Sequence, residues 1–281
     1  MAKVIVIGAG PAGMMSAIRA AENNHSVILL DGNEKIGKKL FITGKGRCNV
    51  TNSKDISEFF DYIYGNPNFL YSALYTYDNT KVVEFFENQG IKLKSERGGR
   101  MFPESDRSSD IILGFNKKLK ELGVNVMLKS KVAGLQISDD NYIEKVILHG
   151  GREVKGDHFI VCTGGKSYPR TGSTGELHEI LKDAGHTVTP MKPSLVPIEL
   201  NSDKIASLLG LSLKNVSLKV IDTTGEKNKQ VYEKQGELKF TIYGITGPLT
   251  LRGSRYIKDE HTYKISIDLK PSLDIKTLDA R

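Results

Sequence analysis

The chain has 281 residues, 39% of them hydrophobic and 26% charged, which is ordinary for a soluble globular protein and long enough for two domains. Lys and Arg outnumber Asp and Glu by 40 to 33. This excess suits an anionic partner such as a nucleotide, an acidic metabolite or nucleic acid. Because the excess is spread along the chain, it suits ordinary solubility equally well.

The sequence lacks the patterns typical of export, membrane insertion and metal binding. Its most apolar stretch, KVIVIGAGPAGMMSAIRAA, is interrupted by glycine and proline and carries Arg19, so it predicts neither a membrane span nor a signal peptide. The two cysteines, Cys48 and Cys162, are far apart and lack metal-ligand spacing. We therefore expect a protein of the reducing cytoplasm, without a metal site and without a membrane partner.

The first 31 residues predict a βαβ unit with parallel strands. KVIVIG (3–8) is a β-branched apolar run that stops at glycine, and residues 11–23 follow as a helix of small residues. SVILLD (26–31) is the next strand. A strand, a glycine turn, a helix and a strand within about 30 residues are typical of a parallel α/β sheet.

The rest of the chain changes character near residue 190. Helices are predicted over 55–64, 66–89, SSDIILGFNKKLKEL and GELHEILKDAG, strands over VNVMLKSKVAGLQIS, YIEKVILHG and HFIVCTGG, and a hairpin over IKLKSERGGRMF that turns at Gly98 and Gly99. After MKPSLVPIEL, residues 211–269 are mainly alternating or β-branched runs. This change predicts a domain boundary near residue 190.

The glycine turn of the βαβ unit predicts a dinucleotide site. Gly8, Gly10 and Gly13 form G-x-G-x-x-G between a strand and a helix, and Asp31 ends the second strand. Gly8 permits the tight turn, Gly10 lets a pyrophosphate approach the backbone, and Gly13 lets helix and strand pack closely. Asp31 is then expected to accept from a ribose hydroxyl, with a solvated acid at a strand end as the alternative. The motif alone leaves FAD and NAD open.

The segment GNEKIGKKLFITGKGRCNVTN (32–52) combines positive charge with mobile backbone. Lys38, Lys39, Lys45 and Arg47 supply the charge, Gly44 and Gly46 free the main-chain N–H groups, and Asn49 and Thr51 add hydrogen-bonding side chains. A nicotinamide ring rarely needs such a loop, whereas the ribityl chain and ring edge of a flavin offer many acceptors. The loop therefore favours a flavin.

Five segments together resemble the BaiN and aminoacetone-oxidase-like family of FAD-dependent oxidoreductases: VIVIGAGPAGMMSA, GKGRCNVTN, GGRMFPESDRSSDII, VCTGGKSYPRTGSTG and GELKFTIYGITGPLTLRGS. The resemblance implies an α/β fold class, with an FAD-binding Rossmann-type domain containing a parallel sheet at residues 1–190. It further implies an inserted β-rich, barrel-like substrate domain at 191–271, followed at 272–281 by the first turns of a helical segment.

The resemblance also implies which residues hold the cofactor. These are Gly8, Gly10, Pro11, Ala12 and Gly13 at the turn, Asp31 and Gly32 at the ribose, Lys39, Gly46, Arg47, Cys48 and Asn49 at the phosphates and flavin, Val132 at adenine, and Thr163, Gly164 and Gly165 on a second pass. The chain departs from the family in having Asp31 where Glu is usual and Asn24 where Gly is usual. Asn tolerates the left-handed conformation, so that turn can form.

The expected function is hydride transfer between FAD and a small organic substrate. A second G-x-G-x-x-G is absent, so the sequence predicts no separate nicotinamide-binding domain. The expected electron partner is therefore either NAD(P)H that docks transiently or oxygen. The alternatives are an NAD-binding dehydrogenase and a non-catalytic module that binds nucleotides or nucleic acid. The sequence has no aromatic-rich basic stripe, so we expect no nucleic-acid partner. It defines neither catalytic residues nor an oligomeric state.

Three parts of the expected site have alternatives. Cys48 is a thiol beside the flavin or a loop cysteine without redox duty, and Arg47 is a ligand contact or part of a structural ion pair. The loop GGKSYPRTGSTG (164–175) lines a ligand or caps the following helix. FTIYGITGP is interpreted as a barrel strand and its turn. The less favoured alternative is that Tyr243 or Thr246 faces the substrate.

The carboxyl-terminal part of the chain lacks one expected feature. A member of the resembled family would return to the Rossmann-type domain after its insert, and nothing after residue 190 resembles that return. The sequence PSLDIKTLDAR is typical of the first turns of a helix. We therefore expect a fragment that binds FAD weakly or not at all and is inactive alone, because one side of the flavin site would be open.

Overall fold

The computed structural model describes residues 1–140, 142–202, 204–273, 277 and 279. The chain folds as two compact units, Met1–Thr189 (unit 1) and Pro190–Arg281 (unit 2). Within the described part of the chain, no helix has the length and apolar character needed to cross a membrane. The helical segment predicted for 272–281 falls largely outside the described residues.

Unit 1 contains the predicted α/β architecture. Its strands are β1 (Lys3–Ile7), β2 (Ser26–Leu30), β3 (Thr51–Asn52), β4 (Leu93–Glu96), β5 (Arg100–Pro103), β6 (Asn125–Met127), β7 (Val132–Ile137), β8 (Ile143–Leu148), β9 (Glu153–Lys155) and β10 (His158–Val161). Its helices are α1 (Pro11–Glu22), α2 (Lys38–Ile42), α3 (Tyr71–Thr76), α4 (Asn79–Glu87), α5 (Ser108–Glu121) and α6 (Glu176–Asp183), and short 3-10 turns cover Ile56–Tyr62, Pro67–Leu70 and Pro169–Thr171.

A parallel sheet of order β10-β1-β2-β6 forms the centre of unit 1. In this sheet Ile7 of β1 pairs with Leu30 of β2 and with Val161 of β10, so three carboxyl ends meet at one edge. The strand β1 is buried from its second residue onward because both faces are covered. The predicted βαβ unit and its parallel sheet are confirmed.

Two smaller antiparallel sheets, β3-β5-β4 and β7-β8-β9, complete unit 1. The hairpin of β4 and β5 turns as predicted at Gly98 and Gly99, which have φ of 81° and 74°. Glycine adopts such positive φ angles without the steric cost that a side chain brings. The left-handed conformation expected at Asn24 is also present, with φ of 61°.

Two predicted elements are wrong in extent. The helix predicted over 66–89 is broken, because Asp78 is extended and its side chain accepts from the Lys81 N–H, which starts α4 afresh. The strand predicted over VNVMLKSKVAGLQIS is divided into β6 and β7, which belong to different sheets. Between them Lys129 takes φ of 51° and donates its N–H to the Asn33 carbonyl.

Unit 2 is built around one antiparallel sheet. Its elements are β11 (Ile198–Glu199), β12 (Ser212–Asp222), β13 (Lys229–Phe240), β14 (Gly244–Thr246), α7 (Pro248–Gly253) and β15 (Tyr263–Asp268), with 3-10 turns at Ala206–Leu208 and Ser254–Tyr256. The order β11-β14-β13-β12-β15 leaves β11 and β15 at the two edges. Helix α7 is missing from the sequence prediction. It begins at Pro248 and buries Leu249 and Thr250, so its signal is one turn of apolar residues after a proline.

Gly244→Ala is expected to destabilise unit 2 by about 3 kcal/mol, because an added Cβ would overlap the carbonyl oxygen of Ile198 in the neighbouring strand. Gly225→Ala is the matched control, since Gly225 has open space around it and no positive φ. Denaturant unfolding of both variants measures the difference. Equal stability of the two variants would contradict the close packing of β11 against β14.

Candidate functional site

The glycine turn between β1 and α1 is formed by backbone contacts too close for any side chain. Gly8 has φ of 103°, donates its N–H to the Leu30 carbonyl at 2.7 Å, and would place a Cβ 2.6 Å from the carbonyl oxygen of Cys162. A Cβ at Gly13 would overlap the carbonyl oxygen of Gly8. Gly8 and Gly13 therefore have the packing roles predicted for them.

Gly10 differs from the other two glycines because it faces open space. A Cβ built on Gly10 would meet no heavy atom within 4 Å. Helix α1 begins at the next residue, Pro11, and no side chain caps it. The N–H groups of Ala12 and Gly13 lie in the first turn and have no partner within the helix. This is the geometry of an anion site at a helix N-terminus, with room for the anion.

The Asp31 carboxylate is joined to the glycine turn and is not a solvated acid. Its Oδ2 accepts from the Ala9 N–H at 2.6 Å, and its Oδ1 accepts from the Asn33 N–H and Nδ2 at 2.8 and 2.9 Å. Since an ionised carboxylate accepts about four hydrogen bonds, one acceptor position on Oδ2 remains for a ligand. Asp31 is thus beside the turn, where a ribose contact was predicted.

The segment after β2 returns to the same turn. The Gly37 N–H donates to the Ala9 carbonyl at 2.8 Å, which places α2 beside the glycine turn. Lys39, on α2, is half-buried, and its Nζ lies 3.4 Å from Ser167 Oγ. Burial lowers the pKa of Lys39, and among the described residues no carboxylate lies within 4.0 Å of its Nζ. Within the described part of the chain, Lys39 is therefore a cation without an acidic partner.

The loop after α2 has an unusual backbone. Gly44, Lys45, Gly46 and Cys48 have φ of 57°, 60°, 86° and 63°, and a Cβ at Gly46 would meet nothing within 4 Å. The side chain of Cys48 is fully buried in the core of unit 1, and burial raises the pKa of its thiol. Cys48 thus contributes a turn and a core side chain, and the redox alternative weighed from the sequence has no support.

Arg47 is engaged by the protein itself. Its Nη1 donates to Glu96 at 2.7 Å and to Asp106 at 3.2 Å, and its guanidinium carbon lies 4.1 Å from the centre of the Phe102 ring. The pKa of Arg47 is raised, chiefly by the hydrogen bond with Glu96. The structure therefore corresponds to the ion-pair alternative, in which Arg47 fixes the loop to the hairpin of β4 and β5.

The side chain of Asn49 also makes its hydrogen bonds within the protein. Oriented to satisfy its neighbours, the side-chain amide of Asn49 donates to the carbonyls of Thr51 and Met101 at 3.1 and 3.2 Å. It thereby ties the loop to β3 and β5, so Asn49, like Arg47, has a partner inside the protein.

The segment after β10, predicted as a second chain pass beside the cofactor, lies close to the glycine turn. The Cys162 N–H donates to the Ile7 carbonyl, and a Cβ on Gly8 would be 3.2 Å from the Cα of Thr163. Gly164 then faces Ser173 and Lys39, and Gly165 faces open space. The chain after β10 therefore runs past the glycine turn.

Val132, which the resemblance assigns to adenine, follows a segment that contacts Asp31. Val132 has a buried side chain in β7, and two residues before it the Ser130 N–H donates to the Asp31 carbonyl at 2.8 Å. Gly32 lies against Lys131, with a Cβ distance of 3.1 Å. Asn33 and Lys131 were not predicted. The signal for Asn33 was an amide two residues after an acid, a pattern typical of Asx turns.

Comparison with known proteins identifies the family. The family described as HI0933-like protein, Rossmann domain, matches residues 2–247. The chain belongs to this family. The resemblance inferred from five sequence segments is thereby confirmed.

Two curated relatives of this HI0933-like protein are similar along almost the whole chain. The 3-dehydro-bile acid delta(4,6)-reductase of Clostridium scindens is 29% identical over 98% of this chain and 66% of its own length. The ribosomal RNA dihydrouridine synthase of Haemophilus influenzae is 31% identical over 97% of this chain and 65% of its own length. The chain therefore spans about two thirds of the length of these relatives.

A solved structure supports the fold. A flavocytochrome c3 fumarate reductase in an open conformation aligns with a TM-score of 0.56 over 76% of this chain and 47% of its own, at 20% identity. At that identity the likeness concerns the fold alone. Together with the family match, it confirms the Rossmann-type fold class of the HI0933-like chain.

Gly10→Ala is expected to weaken FAD binding about 10- to 100-fold while leaving the stability unchanged, because the new methyl group occupies the space at the start of α1. Gly10 has φ of −75° and ψ of 179°, which alanine adopts freely before a proline. Gly134→Ala, at another open position, is the control. Fluorescence titration with FAD and thermal unfolding provide the two readouts. Unchanged FAD affinity in Gly10→Ala would remove the start of α1 from the site.

Arg47→Ala is expected to destabilise unit 1 only modestly, because its ion pairs are partly exposed to water, which weakens them. The pKa values of Glu96 and Asp106 are lowered, by hydrogen bonds with Arg47 and Lys94 respectively as the largest causes. A lowered carboxyl pKa adds stability above the ordinary values of 4.5 and 3.8, and that stability is lost as the pH falls through the lowered values.

Denaturant unfolding of Arg47→Ala at neutral and at acidic pH tests this sign. The difference in unfolding free energy from the unmodified chain should shrink in acid. Arg97→Ala, on the same hairpin, should show no such change. A difference for Arg47→Ala that is the same at both pH values would contradict the ion-pair role.

Proposed function

We propose that the chain is the dinucleotide-binding part of an FAD-dependent oxidoreductase that transfers a hydride between flavin and a small organic substrate. The observation that carries the proposal is the open space at Gly10, at the uncapped start of α1 and beside the Asp31 carboxylate. A helix N-terminus with free N–H groups binds a pyrophosphate, and a carboxylate at the end of the second strand binds a ribose.

The residues present fit FAD. Cβ atoms built on Gly10, Gly46 and Gly165 meet nothing within 4 Å, so the backbone at these three predicted cofactor positions has room for a ligand. The turn would hold the pyrophosphate, and Asp31 the ribose. Lys39 would place a positive charge beside the phosphates or the flavin. When bound, FAD supplies the hydride chemistry, whereas the chain supplies binding, orientation and charge.

The electrostatic contribution of the chain rests on Lys39. A cation already paired with a carboxylate has little attraction left for a ligand anion, and Arg47 is in that state. Lys39 has no such partner among the described residues, and its surroundings lower its pKa. Binding an anion there would restore the favourable environment of its charge, which makes Lys39 the stronger candidate for a direct contact with the cofactor.

The direction of the reaction is proposed from the relatives. A delta(4,6)-reductase of a 3-dehydro-bile acid and a dihydrouridine synthase are both named for saturating carbon–carbon double bonds. In each named substrate class, such a bond is conjugated to a carbonyl group. We therefore propose that this chain serves the reduction of a conjugated carbon–carbon double bond, with NAD(P)H as the transient electron donor.

We propose that unit 2 binds the substrate. Unit 2 has a cavity of about 1340 Å³ lined by Ile198, Ile205, Phe240, Ile257 and Ile265, with charged residues such as Lys258 and Lys264 around it. Because this lining combines apolar side chains with about as many polar and charged ones, it suits a small organic molecule that itself carries polar groups. A cytoplasmic location and a small-molecule substrate, in preference to nucleic acid, remain part of this proposal.

The purified chain is expected to bind FAD weakly but in preference to NAD⁺, because its loop after α2 offers open backbone for a flavin. Titration with each dinucleotide, followed by a visible spectrum of the retained pigment, measures the preference. Because the chain alone is expected to be inactive, binding of a 3-oxo-Δ4 steroid or of a uridine-containing RNA to the FAD-loaded chain then separates the two substrate classes. Tight NAD⁺ binding in a colourless protein would favour the dehydrogenase alternative, and salt-sensitive RNA binding without FAD binding would favour the nucleic-acid module.

A further inference from the structure

Asn33 joins the end of β2 to three other segments of the chain through all of its polar atoms. Its N–H and Nδ2 donate to Asp31 Oδ1 at 2.8 and 2.9 Å, and Nδ2 also donates to the Thr171 carbonyl at 3.1 Å. Its Oδ1 accepts from Lys38 Nζ at 3.2 Å, and its carbonyl accepts from the Lys129 N–H at 2.9 Å. No motif in the sequence analysis assigned this residue a role.

The segment that Asn33 contacts is a compact turn. The Tyr168 carbonyl accepts from the N–H and the hydroxyl of Thr171, at 2.9 and 2.7 Å, and Tyr168 itself is left-handed with φ of 54°. Gly172, which follows Thr171, has φ of 95°, and a Cβ on it would lie 2.7 Å from the Asn33 amide nitrogen. Glycine at 172 therefore permits the close approach of the turn to Asn33.

The contacts require a side chain that both donates and accepts. Two of the partners, Asp31 Oδ1 and the Thr171 carbonyl, are acceptors, whereas Lys38 Nζ is a donor. Only an amide of this length offers two N–H groups and an oxygen in one plane. A carboxylate at position 33 would face the Asp31 carboxylate and a carbonyl, so it would be repelled by both.

The contact with Thr171 lies in the middle of a long loop. The loop begins after β10, where the Cys162 N–H donates to the Ile7 carbonyl, and ends at α6, where Glu176 pairs with Lys131 at 2.6 Å. The Lys131–Glu176 pair is about half exposed, so it contributes little. Among the described residues, Asn33 is therefore the main polar attachment of the loop between its two ends, and the 3.4 Å contact of Lys39 with Ser167 is a weaker one.

We infer that Asn33 is a positioning residue that couples the Asp31 carboxylate to the loop 163–172. It holds Asp31 Oδ1, which leaves Oδ2 directed to the Ala9 N–H and to a ligand hydroxyl, and it holds the loop whose first residues pass the glycine turn. Binding of a dinucleotide at Asp31 and ordering of the loop are then one event. The coupling of the loop to cofactor binding rests on the proposed function, whereas the attachment of the loop to Asn33 does not.

Trypsin cleavage after Arg170, an exposed residue of the turn, tests the attachment in the chain without added dinucleotide. Asn33→Ala should raise the cleavage rate at Arg170 about tenfold relative to cleavage at Lys227, an exposed turn residue of unit 2. Lys131→Ala, which removes an exposed contact at the end of the same loop, should change the ratio less than twofold. Equal ratios in Asn33→Ala and the unmodified chain would overturn the inference.

A second variant keeps the test decisive if Asn33→Ala fails to fold. Gly172→Ala pushes the turn away from the Asn33 amide without altering Asp31, so it should raise cleavage at Arg170 to a similar extent. The double variant should show no further increase, because both changes break one contact. Additive increases would show that the two residues act separately, and the inference would then be wrong.

Added FAD distinguishes positioning from a merely structural role. FAD should slow cleavage at Arg170 in the unmodified chain at least fivefold and leave Asn33→Ala nearly unprotected, while FAD affinity falls about tenfold in the variant. Equal protection of both proteins by FAD would overturn the coupling. If the unmodified chain binds no FAD, the proposed function fails, and the cleavage ratios without dinucleotide still decide whether Asn33 attaches the loop.

Discussion

The close approach of three backbone segments at the glycine turn is the constraint on which unit 1 depends. Gly8 touches the carbonyl of Cys162, and Gly13 touches Gly8, in each case at a distance that leaves no room for a Cβ. Ala9, between them, donates to Asp31 and accepts from Gly37. The ends of β1, β2 and β10 and the start of α2 are therefore brought together by main-chain contacts. Because backbone geometry fixes this arrangement, the surrounding side chains are free to serve a ligand.

The charges near the turn divide into two groups by their partners. Arg47, Glu96, Asp106 and Lys94 neutralise one another and hold the loop after α2 against the hairpin. Lys39 has no acidic partner among the described residues and lies in a half-buried position. A charge left unpaired and partly desolvated reduces stability unless a ligand compensates for it. The first group thus builds the loop, and Lys39 is available for recognition.

Local patterns in the sequence predicted the central fold well. The βαβ unit is defined by its β-branched runs, its glycine spacing and the acid at the end of β2. Each of these signals involves residues that are close together in the sequence. Long-range geometry was harder to predict. The pairing of Arg47 with Glu96 joins residues 49 positions apart, and the contact of Asn33 with Thr171 spans 138 positions, so neither leaves a local signal. Burial of Cys48 likewise depends on the packing of α1 and α5 around it.

Errors in element boundaries have local causes that are visible in the structure. Asp78 adopts an extended conformation and caps α4, which divides a segment whose apolar spacing suits one helix. Lys129 takes a left-handed conformation that sends β6 and β7 into different sheets. In both cases the side-chain pattern continues through a break that one backbone angle creates. Patterns of apolar residues report which face is buried, and they are insensitive to such breaks.

The open edges of the sheet in unit 2 bear on how copies of the chain behave in concentrated solution. A strand edge with unpaired N–H and C=O groups can recruit another strand, and β15 offers Ile265 and Ile267 on such an edge. Exposed Lys264 and Asp268 alternate with these isoleucines, and β11 at the opposite edge is only two residues long. The charged residues on β15 and the short length of β11 discourage the pairing of strands between molecules. Protection of unit 2 against strand pairing between molecules therefore depends on Lys264 and Asp268 at one edge and on the short β11 at the other.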